Sequence, residues 1–128
     1  MGNKRLHGCV YLGAAGMLQG KRATCRWAYT HLLPLFGATH EAVRVVRDGN
    51  LVTAGGVTSG IDFALELIAM ISGEAVTQTI QLALEYNPAP PFVGGTPDNA
   101  PEDILLNLHE RIYDRAAAQM ELAIKALA

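Results

Sequence analysis

The sequence has few of the residues on which metal centres, disulfide scaffolds and nucleic-acid surfaces depend. It contains two cysteines, Cys9 and Cys25, and four scattered histidines without an HxxxH or HExxH pair, so we expect neither a disulfide framework nor a metal site. Ten basic against twelve acidic residues give a net charge of −2, which argues against a nucleic-acid partner. No apolar run approaches the roughly 18 residues of a membrane span, and no signal peptide is recognisable. We therefore expect a cytoplasmic protein without cofactor or membrane partner.

The composition is otherwise that of a compact domain. The chain has 128 residues, of which 50% are apolar and 13 are glycine. A single domain of this length can bury a hydrophobic core.

The clearest local signal is a β-hairpin. Residues 43–47 and 51–53 are rich in valine and flank the tripeptide Asp48-Gly49-Asn50. An Asp-Gly pair supplies the positive φ angles that a tight hairpin turn requires. The turn needs no functional role.

Helical patterns surround this hairpin, and one short strand is expected within residues 21–27. The predicted helices are residues 10–19, 28–36, 60–71, 74–86 and 101–126. The third is apolar on most sides, which favours a helix buried against a sheet, with Thr58 or Ser59 as its N-cap. Residues 87–101 hold five of the six prolines and predict a non-helical connector. Strands alternating with helices indicate an α/β fold, although too few strands are visible for a complete sheet.

Four stretches of the sequence resemble the ThiJ/PfpI family, and within it the isocyanide hydratases. They are LGAAGMLQGKRAT, HLLPLFGA, VVRDGNLVTAGGVTSGIDFAL and LEYNPAPPFVGGTPDNAP, which together cover roughly residues 11–101. The resemblance implies the C-terminal part of a flavodoxin-like, class I glutamine amidotransferase-like three-layer sandwich with an incomplete sheet. We expect residues 1–10 to be an out-of-frame or divergent N-terminus and residues 11–128 to form a partial ThiJ/PfpI-like domain.

The resemblance also implies a cysteine nucleophile, which this sequence does not place where the family has it. Such a hydratase, a hydro-lyase, adds water across an isocyanide to give an N-substituted formamide. Its cysteine lies on a strand-to-helix elbow, and an acidic residue from an earlier strand handles protons. When the chain is aligned through residues 12–16, the family cysteine falls on Leu6 and the following threonine on His7. Cys9 lies three positions later and is only a weak candidate. We therefore assign no catalytic residue and expect the chain to be inactive.

A frameshift would account for residues 1–10. The decapeptide can be encoded so that the same bases, read one position later, give Trp-Val-Thr-Ser-Val-Cys-Thr-Gly-Ala-Phe, which is the elbow sequence of the family. We expect Cys9 to be a product of this shifted frame.

Other candidate residues have structural explanations that compete with functional ones. Cys25 has the character of a small buried hydrophobe, and Arg26, which stays protonated, stands where several relatives carry histidine. Asp62 and Glu66 share one helix face and could be paired carboxylates, although polar edge positions explain them more simply.

Two functional hypotheses remain open. The chain is either an inactive relative of isocyanide hydratases or a non-catalytic ligand-binding or dimerisation module, like the ThiJ/PfpI-like domains of AraC-type regulators. In either case uncovered apolar faces predict a homodimer or higher oligomer. We expect a small-molecule substrate only for a full-length parent.

Overall fold

A computed structural model describes residues 8–127 of the chain. The first half contains helix α1 (Gly8–Ala14), strand β1 (Arg22–Ala23), a 3-10 helix (Trp27–Phe36) and strand β2 (Thr39–His40). The hairpin strands β3 (Val45–Asp48) and β4 (Leu51–Ala54) follow, and helices α2 (Ser59–Ser72) and α3 (Glu74–Ala83) succeed them. The chain closes with α4 (Glu102–Leu108), a π-helical turn (His109–Tyr113) and α5 (Asp114–Ala126).

Two small sheets replace the single sheet of a complete sandwich in the described residues. Strands β1 and β2 pair in parallel, with Arg22 opposite Thr39. Strands β3 and β4 form the predicted antiparallel hairpin, in which Asp48 lies opposite Leu51 and Gly49 turns the chain at φ +64°. The Asp48 carboxylate accepts the backbone N–H of Arg22 at 2.9 Å, so the hairpin tip is attached to β1.

The hydrophobic core lies beneath the 3-10 helix. Leu18, Leu32 and Leu33 are almost completely buried. The 3-10 helix ends where predicted, because Gly37 adopts φ 73° and donates its backbone N–H to the carbonyls of Leu33 and Pro34. Left-handed backbone of this kind favours glycine at a helix end.

The C-terminal helices complete the core from the other side. Tyr113, Ala117 and Ile124 are buried against the 3-10 helix. The predicted continuous helix over residues 101–126 is interrupted, since a π-helical turn separates α4 from α5. This turn brings Tyr113 under the 3-10 helix, where its ring makes edge contacts with Trp27 and Tyr29 at centroid distances of 5.1 and 5.9 Å.

Three predictions about the helices were wrong in detail. Helix α1 ends at Ala14 and a series of turns replaces its predicted second half. Helix α2 forms as predicted but is not buried against a sheet, because Ser59 is its only buried residue. Thr58 precedes α2 without a side-chain capping bond. The helix is apolar, yet among the described residues it packs mainly against the hairpin and α3.

Many of the exposed large apolar side chains lie between the start of α2 and the proline-rich connector. They are Ile61, Met70, Ile71, Val76, Leu82, Leu84, Phe92 and Val93. Residues 87–101 contain no helix or strand, as the prolines predicted.

Candidate functional site

A cleft of about 340 Å³ opens where α1, the segment after β1 and the corner between β4 and α2 meet. We call it the cysteine cleft, because Cys9 and Cys25 both contribute to its lining. Val52, Gly55 and Phe63 form the opposite side. A cleft of this size falls at the lower end of the range for small-molecule sites, which begins at about 300 Å³.

Each cysteine reaches the cleft from a different element. Cys9 belongs to the first turn of α1 and is half-buried against the core. Cys25 follows β1 and is 5% exposed. Its Sγ lies 3.5 Å from the carbonyl oxygen of Arg26.

The two cysteines shift each other's acidity in opposite directions. The hydrogen bond with Cys25 lowers the pKa of the Cys9 thiol below its usual value, against the opposing effect of burial. The hydrogen bond with Cys9 and burial together raise the pKa of Cys25. Of the two, Cys9 is therefore the thiol that more readily becomes a nucleophile.

The corner between β4 and α2 brings backbone close to Cys25. A Cβ atom on Gly55 would lie 3.2 Å from Ser59 Oγ and 3.8 Å from the Cys25 carbonyl oxygen. The Gly55 N–H donates to the Arg44 carbonyl at 2.9 Å, which continues the hairpin contacts beyond β4. A Cβ atom at position 55 would crowd Ser59 Oγ and make ordinary contact with the Cys25 carbonyl oxygen, so glycine keeps this wall of the cleft thin.

Arg26 is the only charged side chain among the described residues of the cysteine cleft. Its guanidinium donates to the hydroxyl of Tyr113 and lies 5.0 Å from the centroid of that ring. Its Nε is buried and finds no hydrogen-bond partner among the described residues. Arginine stays protonated in proteins, so Arg26 supplies a fixed positive charge and no general base.

A second cleft of about 440 Å³ lies on the other side of Cys25 and Gly55, both of which line it as well. Its outer wall comes from the proline-rich connector, through Thr96 and Asp98. His40 is part of the same lining.

Asp62 holds the connector in place rather than forming a catalytic pair with Glu66. Its carboxylate accepts hydrogen bonds from Arg44 and from the hydroxyl of Tyr86, the residue before the connector begins. These bonds, that of Tyr86 first, hold the pKa of Asp62 below its usual value. Glu66 is exposed on α2. The simpler structural explanation of Asp62 therefore fits the geometry.

No group of three or more potential metal ligands occurs among residues 8–127. Within that range, no helix is both long and apolar enough to cross a membrane.

A model of the DJ-1/PfpI family matches residues 6–70, which is about half of the chain. The chain belongs to the DJ-1/PfpI family. Its mixture of helices and small partial sheets is that of a partial flavodoxin-like α/β fold. A crystal structure of a ThiJ/PfpI family protein from Pseudomonas syringae superimposes with a TM-score of 0.80 at 38% identity, covering 89% of this chain and 48% of that one.

Curated DJ-1/PfpI relatives include an enzyme and a regulator. An isonitrile hydratase of Pseudomonas putida is 52% identical over 125 residues, covering 90% of this chain and 55% of the relative. The HTH-type transcriptional regulator CdhR of Pseudomonas aeruginosa is 39% identical over 70 residues, covering 52% of this chain and 20% of the regulator. The chain thus spans about half the length of the hydratase and a fifth of the regulator.

Two of the three candidate site residues lie within the described part of the chain. Leu6, which occupies the family's cysteine position in our alignment, lies outside the described residues. Cys9 lies in the wall of a cleft, and Cys25 is buried, as expected, but beside Cys9. Sequence analysis missed this meeting of the two thiols, since residues 16 positions apart carry no local signal of contact.

Proposed function

We propose that the chain is an isocyanide-hydratase-like member of the DJ-1/PfpI family that lacks the family's nucleophile and does not hydrate isocyanides. The supporting observation is the 52% identity to an isonitrile hydratase, combined with leucine at the aligned cysteine position. The cysteine cleft, at about 340 Å³, has the size of a small-molecule site.

Cys9 does not replace the missing nucleophile in this proposal. Hydration through a thiol requires attack on the terminal isocyanide carbon from a fixed position, next to a group that transfers protons. Three residues along a helix displace a side chain by about 4.5 Å and turn it away from the original direction. No acidic side chain lines the cysteine cleft among the described residues.

The proposal is tested by separating binding from turnover. An alkyl isocyanide is titrated into the protein, and ligand-observed NMR follows both binding and the appearance of the N-substituted formamide. We expect saturable binding without formamide above the buffer rate. Gly55→Val, which fills the cleft wall, is expected to weaken binding. Turnover by the wild-type protein that disappears in Cys9→Ser would overturn the proposal.

The alternative is a non-catalytic ligand-binding or dimerisation module, like the ThiJ/PfpI-like domains of AraC-type regulators. The identity to the regulator CdhR over 70 residues favours it. Under this alternative the isocyanide does not bind, whereas the protein still associates with itself.

Self-association is expected in both cases. Several large apolar side chains of α2 and α3 are exposed; Ile71 and Leu82, for example, are each 81% exposed. Sedimentation velocity is expected to show a homodimer or higher oligomer. A stable monomer with a cooperative thermal transition would contradict this expectation.

Location of the protein in the cytoplasm stays a prediction.

A further inference from the structure

We propose that Cys9 and Cys25 form a thiol–disulfide exchange site that reacts with small aliphatic disulfides and closes an intramolecular Cys9–Cys25 disulfide. This chemistry is independent of isocyanide hydration. It requires only that one thiol be accessible, that the second lie within reach of the first, and that the two differ in reactivity.

The geometry meets the first two requirements. Both cysteines line the cysteine cleft, so a small disulfide that enters it comes close to both residues. Cys9 is half-buried and Cys25 is 5% exposed, which gives the incoming disulfide access to Cys9 first. Cys9, in the first turn of α1, packs against the core cluster that contains Cys25, so the two residues lie close together in the fold.

The environment meets the third requirement. Hydrogen bonding from Cys25 lowers the pKa of the Cys9 thiol, while the neighbouring Cys9 and burial raise the pKa of Cys25. The only charged side chain of the cleft among the described residues is the cationic Arg26, so no carboxylate there opposes a thiolate. Cys9 is therefore the attacking residue and Cys25 the resolving residue.

The exchange proceeds in two balanced steps. The Cys9 thiolate attacks one sulfur of the small disulfide, forming a mixed disulfide and releasing one small thiolate. Capping Cys9 removes the negative charge and the hydrogen bond that hold the proton on Cys25. Cys25 then loses that proton to the released thiolate and attacks Cys9 Sγ, which expels the second small thiolate. The protein loses two electrons and two protons, and the small disulfide is reduced to two thiols.

The test uses 2-hydroxyethyl disulfide with the whole chain under dilute, anaerobic conditions. Wild-type protein is expected to release two molecules of 2-mercaptoethanol per chain and to lose two hydrogens in mass. Trypsin cleavage after Arg5, Lys21, Arg22 and Arg26 then yields residues 6–21 joined to residues 23–26 by a disulfide.

The two single variants separate the roles of the thiols. Cys25→Ser is expected to stop at a mixed disulfide on Cys9, with one 2-mercaptoethanol released. Cys9→Ser is expected to exchange at least about tenfold more slowly, because the remaining thiol is buried and protonated. Far-ultraviolet circular dichroism checks that each variant is folded. If a variant is not folded, the proposal is judged only by whether the wild-type chain yields the disulfide-linked peptide pair.

Three results would overturn the proposal. They are a wild-type chain that stops at the mixed disulfide, a disulfide that joins two chains instead of two peptides of one chain, and a folded Cys9→Ser variant that exchanges as fast as the wild type.

Discussion

Replacing Gly13 by alanine is expected to destabilise the protein, although alanine is the better helix former. Gly13 lies in α1 and is buried where this helix crosses the end of the 3-10 helix. A Cβ atom at this position would lie 2.4 Å from two carbon atoms of the Phe36 ring. Carbon atoms in contact are normally about 3.5–4.0 Å apart, so the ring would have to withdraw by about 1 Å or more.

The magnitude follows from two opposing effects. An extra methyl group in a filled core costs about 1–3 kcal/mol of unfolding free energy. The change from glycine to alanine inside a helix returns up to about 1 kcal/mol. With the full return, the net loss is at most about 2 kcal/mol, and we expect about 1–2 kcal/mol because a Cβ atom would approach the Phe36 ring so closely. Phe36 is buried within the core cluster, so its ring has little free space into which it can move.

Urea denaturation followed by the fluorescence of Trp27, the only tryptophan, measures this loss. Gly60→Ala is the matched control, because nothing lies within 4 Å of a Cβ atom at that helical position. It is expected to be neutral or slightly stabilising. In a Phe36→Leu background, Gly13→Ala should cost measurably less, which makes the two substitutions non-additive. A Gly13→Ala protein as stable as the wild type would refute the packing argument.

Two further substitutions test the polar contacts around the site. The backbone N–H of Thr24 donates to Thr53 Oγ1 at 2.9 Å in a buried position. Thr53→Val removes this acceptor and is expected to lower the free energy of unfolding by about 1–3 kcal/mol. Thr53→Ser retains the acceptor and is expected to keep most of the stability in the same urea assay. Asp62→Asn is expected to cost roughly 0.5–1 kcal/mol at neutral pH, because Tyr86 and Arg44 bond to the carboxylate. The pKa of Asp62 is lowered in the folded state, so its contribution to the free energy of unfolding is present above about pH 4 and is lost as the pH falls through the folded-state pKa. The stability curves of the wild-type protein and of Asp62→Asn should therefore converge in acid. A constant difference between them at all pH values would contradict this assignment.

Local sequence signals predicted the elements whose structure depends on neighbouring residues. The Asp48-Gly49 turn formed the expected hairpin, and Gly37 ended the helix that contains Pro34. The proline connector was also recognised correctly. In each case the backbone geometry is decided by residues within a few positions of the turn or the helix end.

The errors arose where the outcome depends on distant residues. The pattern of α2 indicated burial, but periodicity reports which residues favour an apolar environment and not whether a partner is present. The π-helical turn at His109–Tyr113 places Tyr113 beneath the 3-10 helix, and no local signal marked it. The contact between Cys9 and Cys25 likewise depends on how α1 packs against the segment after β1.

The most direct test of the central claim is a reaction with the protein in molar excess over an alkyl isocyanide. Under these conditions even one slow turnover per chain would convert the ligand, and the N-substituted formamide is quantified by NMR against a buffer control. We predict equal formamide yields with wild-type protein, with Cys9→Ser and in buffer. Formamide formed only by the wild-type protein, and lost in Cys9→Ser, would show that this chain retains a working nucleophile.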